Sequence, residues 1–377
     1  MKFIHLSDLH IGKRVNGYSM LDDQDDILDK ILTIIDSEQP DAVLIAGDIY
    51  DKSVPSTEAV SLLNRFLVRL SRRDTEVFII SGNHDSAERL GFCSSLIDGS
   101  GIHFSPAYSG DIQPHILTDE YGEVRIFMLP FLKPAHVRPY FPGEAIDSYT
   151  DAMRAVIGKM ELGERNILVA HQFVTGSVTS DSEELSVGGT DNVDAAVFEP
   201  FDYTALGHIH RPQNCGSERV RYSGTPLKYS FSESNDRKSV TVGELAGDGA
   251  LTLRTILLKP LHDMVELKGK YEALAARDFY ENTGYHEDYT HITLTDEEDI
   301  PDAVNKLRVI YHNLMKLDYD NTRTRTGATV TAAESVETKS PLTLFSELYE
   351  KQNNQPLDNE QTTYLQSLIE ELWEVDA

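Results

Sequence analysis

The sequence is short of several things at once. It has two cysteines, Cys93 and Cys215, and neither sits in a Cys-x-x-Cys or other metal-ligand spacing. That argues against a disulfide scaffold or a thiolate zinc site and for a thiol-reducing, cytoplasmic setting. No apolar run approaches the ~20 residues that span a bilayer. The chain opens directly into a strand carrying a motif, so no signal or transit peptide is expected before the fold. Positive charge is also scarce, with 34 lysines and arginines against 62 acidic residues and a formal net charge of −28. A protein that gripped nucleic acid alone would show a basic stripe, because phosphate neutralisation supplies most non-specific affinity. Any nucleic-acid role therefore needs metal ions, a few placed cations or a partner. Half the excess is local: residues 261–377 hold 10 basic against 24 acidic residues, a net of −14.

What the chain does have is a set of strand-like apolar runs that end in metal-ligand residues. Val43-Leu44-Ile45-Ala46 stops at Gly47-Asp48, the way an α/β sheet delivers a side chain to the crevice at its carboxyl edge. Four more runs end alike. Residues 2–7 end in Asp8-Leu9-His10, and 77–81 in Gly82-Asn83-His84-Asp85; residues 166–170 end in His171, and 203–206 in Gly207-His208-Ile209-His210. One such turn is a weak signal, but five in order at predicted strand ends are a strong one. Two divalent ions ~3.5–4 Å apart need a bridging carboxylate, with His, Asp and Asn in the remaining positions. Asp48 is the expected bridge, and Asp8, His10, Asn83, His171, His208 and His210 complete the set. Neutral imidazoles with carboxylates suit manganese, iron or zinc. His84 would face a leaving oxygen as acid or electrostatic stabiliser, with Asp85 orienting or charge-supporting it. His5, His103, His115, His136, His262, His286, His291 and His312 read as ordinary core or surface histidines.

Helical spacing predicts helices over 20–38, 55–72, 87–97 and 147–160. Asp22, Asp23, Asp25 and Asp26 open the first, where the macrodipole favours acidic residues. Strands are expected at 126–129, 220–222, 240–245 and 251–258, and Leu258-Lys259-Pro260 looks like a domain exit. A small α/β segment follows, with helices at 271–280 and 300–314 and a strand at 291–294. Residues 321–339, rich in Thr, Ala and Arg, read as a flexible linker. Two amphipathic helices come last, carrying Leu344, Phe345, Leu348 and Tyr349, then Tyr364, Leu365, Leu368, Ile369, Leu372 and Trp373. A partner groove or their own domain would accept them equally.

The order Asp8-x-His10, Gly47-Asp48-x-x-Asp51, Gly82-Asn83-His84-Asp85, His171, Gly207-His208-x-His210 resembles the calcineurin-like metallophosphoesterases. Within them, His171-Gln172-Phe173-Val174-Thr175-Gly176, Gly188-Gly189-Thr190-Asp191, His210-Arg211-Pro212-Gln213 and the run Arg221-Tyr222-Ser223-Gly224-Thr225-Pro226-Leu227-Lys228-Tyr229-Ser230-Phe231-Ser232-Glu233 resemble the SbcD-type nuclease subunits of bacterial SbcC–SbcD complexes, relatives of the Mre nucleases. The resemblance implies an α/β sandwich of two mixed sheets flanked by helices over 1–258, a capping domain over 259–319, a linker over 320–340 and partner-binding helices over 341–377. It implies one manganese on Asp8, His10, Asp48 and His210 and another on Asp48, Asn83, His171 and His208, with His84 catalytic and Asp85 its partner. At Asp51 some relatives carry a histidine that touches the substrate phosphate. It further implies a homodimer through helices at 56–72 and 87–98, and a cytoplasmic, nucleoid-associated heterotetramer with two copies of an SbcC ATPase, whose surface would bring much of the DNA contact. Lys13, Arg14, Arg211 and Lys228 are the candidate phosphate contacts of this chain. The expected activity is trimming of double-stranded DNA ends and opening of hairpins. A phosphatase or cyclic-nucleotide phosphodiesterase acting alone, and a non-enzymatic scaffold, are the alternatives; a capping segment and a partner-seeking tail argue against the first, a complete ligand set against the second.

Overall fold

The computed structural model describes residues 1–92, 98–183, 192–322, 324, 341–353 and 357–373. They divide into two compact units. The first is 1–266 with 284–291 and 311–315; the second is 267–283, 292–310 and 316–377.

Two six-stranded sheets build the first unit. One runs in the order Leu251–Leu257, Ser239–Leu245, Lys2–Leu6, Ala42–Ala46, Glu76–Ile80, Ile102–Phe104. Its last four strands are parallel and the first two antiparallel. The other runs Gln213–Cys215, Ser217–Tyr222, Tyr203–Gly207, Asn166–His171, Gly122–Leu129, His115–Asp119, with four parallel strands between antiparallel edges. This is the mixed two-sheet α/β sandwich that the resemblance implies.

The two-residue period of a strand decides what each side chain packs against. On Ala42–Ala46 the alternate residues Ala42, Leu44 and Ala46 join Phe3, Phe78, Ile126, Ile167, Val169 and Ala205 between the sheets. The intervening Val43 and Ile45 pack outward with Ile27, Ile31, Leu62 and Phe66 of the helices Leu21–Glu38 and Thr57–Leu70. Phe127, Leu129, Leu168 and Ala170 likewise face Met153 and Val156 of the helix Tyr149–Ile157. Four layers result, with two helical faces outside two sheets.

Several expectations differ from what is observed. The helix expected over 271–280 is two short ones, Tyr271–Leu274 and Arg277–Tyr280. The edge strands Ile102–Phe104 and His115–Asp119 arise from sequence too irregular to announce them. The helix expected over 300–314 is shorter: it spans Ala303–Arg308, and Leu314–Tyr319 is a strand of a three-stranded sheet with Met264–Gly269 and Tyr289–Leu294. The helical spacing of Leu307, Tyr311 and Leu314 is real, and all three are buried. Strand pairing nonetheless takes over: the Asn313 carbonyl already accepts from the Thr290 amide. The expected helix 87–97 ends at Leu90, with Gly91 as its C-cap and Gly91-Phe92 in a turn, and 93–97 lie outside the described residues. Most of the expected linker, and the motif Gly188-Gly189-Thr190-Asp191, also lie outside them.

Arg165, almost wholly buried, ties the second sheet together. It donates to both carboxylate oxygens of Asp119 and to the Gly122 carbonyl. The Arg165 bonds hold the Asp119 carboxyl well below the ordinary carboxylate range, against the opposing pull of desolvation. The folded carboxyl therefore titrates below the unfolded value of about 3.9, so its contribution is complete above that pH and is lost on acidification toward the folded value. Asp119→Asn is expected to cost about 1.5–3 kcal/mol at neutral pH, the range of a charge-assisted hydrogen bond at this partly buried pair. Urea midpoints measured from pH 7 to about pH 2 should show the gap to the native chain constant down to about pH 4 and narrowing below it.

Candidate metal centre

Parallel strands point the same way, so their carboxyl ends gather at one edge. Three of the five predicted turns leave the first sheet, after Lys2–Leu6, Ala42–Ala46 and Glu76–Ile80; two leave the second, at His171 and after Tyr203–Gly207. The sandwich brings them into one cluster. The rows interlock through the backbone: the amides of Asp8 and His10 donate to the carbonyls of Gly47 and Asp48 at 3.0 and 2.9 Å. The His208 amide donates across the sheets to Asp8 Oδ1 at 2.9 Å, and the His84 amide to Asp48 Oδ1 at 2.9 Å.

The backbone here is strained. Asp8, His10, Asp48 and His208 all have positive φ, four of the seven non-glycine residues that do so among the described residues. Each such conformation costs of order 1–3 kcal/mol and persists only where the surroundings over-determine it. Space is equally tight. A Cβ on Gly47, itself at φ +81°, would lie 2.4 Å from His171 Nδ1, and one on Gly207 would lie 1.8 Å from the Ala46 carbonyl oxygen. Those two glycines let the sheets approach until His171 Nδ1 can donate to that same carbonyl at 2.8 Å.

Asp48 Oδ2 is the centre of the cluster. It lies 3.5 Å from His171 Nε2, 3.6 Å from His10 Nε2 and 3.9 Å from His84 Nε2. On one side Asn83 Oδ1 meets His171 Nε2 at 3.0 Å and His208 Nδ1 at 2.8 Å. On the other, the Nε2 atoms of His10 and His210 face each other at 3.0 Å, and the ligand atoms of Asp8, His10 and His210 lie within 4.8 Å of one another. Asp8 Oδ2 and His10 Nδ1 are buried with no hydrogen-bond partner. Orphaned polar atoms in a packed interior are costly, and a cation is the group that satisfies carboxylate and imidazole lone pairs together.

Electrostatics agree. Burial holds His10 and His210 well below the usual imidazole range, keeping them neutral, the form in which imidazole ligates. Burial, reinforced by the charge of Asp48, pushes the Asp8 carboxyl up to about 7. At His171 burial lowers the pKa, but the neighbouring Asp48 outweighs it and raises the ring to about 9. The seven donors fit a pair of divalent cations.

All seven predicted ligands are thus neighbours. Asp85 is placed differently from its expected use: it does not touch the His84 ring, and its carboxylate accepts from the amides of Ile49, Tyr50 and Gly82 at 3.0, 3.0 and 2.9 Å. It pins the Asp48 turn to the Asn83 turn. His84 is instead oriented by the Asp51 carbonyl, 3.0 Å from its Nδ1. The Asp51 carboxylate is paired with Lys13 at 2.8 Å. Arg211 is paired with Asp236, Lys228 with Asp263, and Arg14 donates to the Gly17 carbonyl.

Sequence reasoning missed a supporting shell. Ser182 Oγ lies 2.6 Å from His210 Nδ1 and donates to the fully buried Glu233, which Lys238 neutralises. Lys238 Nζ also donates to the His210 carbonyl, and Glu183 accepts from the His210 amide. Gln24 donates to the His10 carbonyl, and Tyr229 to that of Leu9. These are scattered polar residues without periodicity; only the run ending in Glu233 hinted at them.

Gly207→Ala should test the close approach. It is expected to cost at least about 1–3 kcal/mol, as overpacking does, read from the urea midpoint.

Comparison with known proteins bears on the whole chain. Residues 1–212 match the calcineurin-like phosphoesterase family, and 260–353 match a domain described as the type 5 capsule protein repressor C-terminal domain. The SbcD component of the nuclease SbcCD from Staphylococcus epidermidis is 34% identical over 323 residues, covering 84% of this chain and 85% of that protein. Its counterpart in Staphylococcus saprophyticus is 33% identical over 323 residues, covering 84% of each. A dimetal phosphatase structure from Danio rerio aligns at 12% identity with a TM-score of 0.41, over 69% of this chain and 98% of that one. The chain belongs to the calcineurin-like phosphoesterases and, within them, to the SbcD family of SbcCD nuclease subunits.

Proposed function

We propose that this chain is the nuclease subunit of an SbcC–SbcD-type complex, a metal-dependent DNA phosphodiesterase that trims duplex ends and opens hairpins in repair, recombination and replication. The observation that carries the reading is Asp48 Oδ2 set between two groups of donors in a chain of this family. Asp8, His10, Asp48 and His210 would hold one ion, and Asp48, Asn83, His171 and His208 the other; mixed imidazole and oxygen donors favour manganese over magnesium. Such ions supply positive charge to the phosphate oxygens and make water nucleophilic near neutral pH. The chain's own residues do the rest. The Asp51 carbonyl accepts from His84 Nδ1–H, which leaves Nε2 as the atom that meets the leaving oxygen and carries its proton. Asp85 acts at one remove, holding the turns that present Asp48 and Asn83.

The partner explains the charge. Lys13, Arg211 and Lys228 are each neutralised by an aspartate, so little free positive charge surrounds the cluster for DNA to grip. An SbcC-type ATPase, two copies with two of this chain, would bring that surface. Residues 1–258 serve as the nuclease domain, 259–319 as its cap, 320–340 as a linker and 341–377 as the docking element. The helices Pro341–Asn353 and Asn359–Trp373 leave Phe345, Leu348, Tyr364 and Leu368 exposed, which suits a partner groove. The helix Thr57–Leu70 leaves Val60 and Val68 exposed, in keeping with a homodimer through it and the segment at 87–98. Among the described residues no helix is long and apolar enough to cross a membrane.

His84→Gln is expected to keep two manganese ions per chain by plasma mass spectrometry while cleavage of hairpin DNA falls roughly 10²–10⁴-fold, the range of a lost general acid; retained cleavage would remove His84 from the chemistry. Asp48→Ala is expected to lose both ions, and a count of two would contradict its bridging place. Removing 341–377 should spare manganese-dependent cleavage of single-stranded DNA and abolish co-purification with the ATPase.

A further inference from the structure

The strand period that fills the space between the sheets fails at one edge. Each sheet ends there in a short strand, Ile102–Phe104 in one and His115–Asp119 in the other. His103 is the register partner of Phe78, and His115 that of Ile126. Cross-strand partners point to the same face of a sheet, and both Phe78 and Ile126 belong to the inter-sheet core. Both edge strands therefore aim a histidine inward where an apolar side chain would continue the core. The two rings meet with centroids 4.6 Å apart, and His103 stacks on Phe78 at 4.9 Å and 17°. A local rule broken twice at facing positions marks a site.

Carboxylates complete it. His103 Nε2 lies 2.8 Å from Glu76 Oε2, and its Nδ1 contacts Asp98 Oδ1. In the tautomer whose Nε2–H donates to Glu76, the Nδ1 lone pair points at the Asp98 carboxylate, where an ion held by both would sit, as in the carboxylate–histidine–metal relay of many sites. The ligand atoms of His103, His115 and Asp98 lie within 4.8 Å of one another. Asp98 is about half exposed, so its carboxylate can swing aside to admit an ion. Burial, then the neighbouring His103, lowers the pKa of His115 and favours its neutral form.

We infer that His103, His115 and Asp98, backed by Glu76, form a separate site for one first-row transition ion such as Zn²⁺, clipping together the open edges of the two sheets. Two imidazoles and one carboxylate are the donors zinc accepts, with water in the fourth position. Its three ligands lie on segments that carry none of the Asp48 cluster, and Glu76 stands at the amino end of the strand whose other end leads to Asn83, so an ion here staples the sandwich and takes no part in hydrolysis.

The test is a zinc count by plasma mass spectrometry after dialysis of the full chain against micromolar Zn²⁺. His103→Phe/His115→Phe is expected to hold one zinc fewer per chain than the native protein, and the rise in Tm that zinc produces is expected to shrink. Should that variant not fold, Asp98→Asn/His115→Gln, which keeps size and hydrogen-bonding capacity, gives the same reading. Equal zinc counts in native and variant chains would overturn the inference and leave His103 a hydrogen-bonded link between Glu76 and Asp98. Because the readout is a difference, it stands whether or not the Asp48 cluster performs nuclease chemistry.

Discussion

The hydrogen bond from His171 Nδ1 to the Ala46 carbonyl is the contact on which the rest depends. It joins the carboxyl ends of the central strands of two different sheets, and it forms only because Gly47 and Gly207 present no side chain at the crossing. Ala46 and Ala205 keep the layer between the sheets thin nearby, while Phe3, Phe78 and Tyr203 fill it farther back. Three turns of the metal centre belong to one sheet and two to the other, so neither sheet holds a site alone. Closing the sandwich and assembling the cluster are one event.

That assembly works against local preference. Asp8, His10, Asp48 and His208 occupy left-handed backbone that L-residues avoid, and Asp8 and His10 each bury a side-chain atom with no hydrogen-bond partner. Two carboxylates compete for one imidazolium, with Asp8 pushed toward its neutral form. A core of buried aliphatic and aromatic side chains on both faces of each sheet holds this arrangement in place. Divalent cations would relieve the strain that the protein imposes. Asp85 shows the same economy: one carboxylate bound to three amides fixes the relation of two ligand turns.

The surface chemistry fits one component of an assembly better than a solitary enzyme. Basic residues near the cluster are spent on aspartates, and the acidic excess is heaviest in the C-terminal third, where amphipathic helices leave large apolar side chains exposed. The relatives from Staphylococcus are named as subunits of the nuclease SbcCD.

The sequence alone determined the central strands of the sandwich and the donor-bearing turns that follow them. Buried parallel strands must be apolar throughout, and the turns that follow them carry the chemistry, so both signals lie in short contiguous stretches such as Val43 to Asp48. The small residues at the strand ends were equally visible, but their use was not. Only tertiary structure decided that Asp85 binds backbone rather than His84, that Glu233, Lys238 and Ser182 stand behind His210, and that the chain pairs as a strand from Leu314 instead of continuing as a helix. It also decided that His103 and His115 face each other. Each of these rests on contacts between residues far apart in the chain, or on a competition between helix and strand that local spacing does not weigh, and no local pattern of side chains records either.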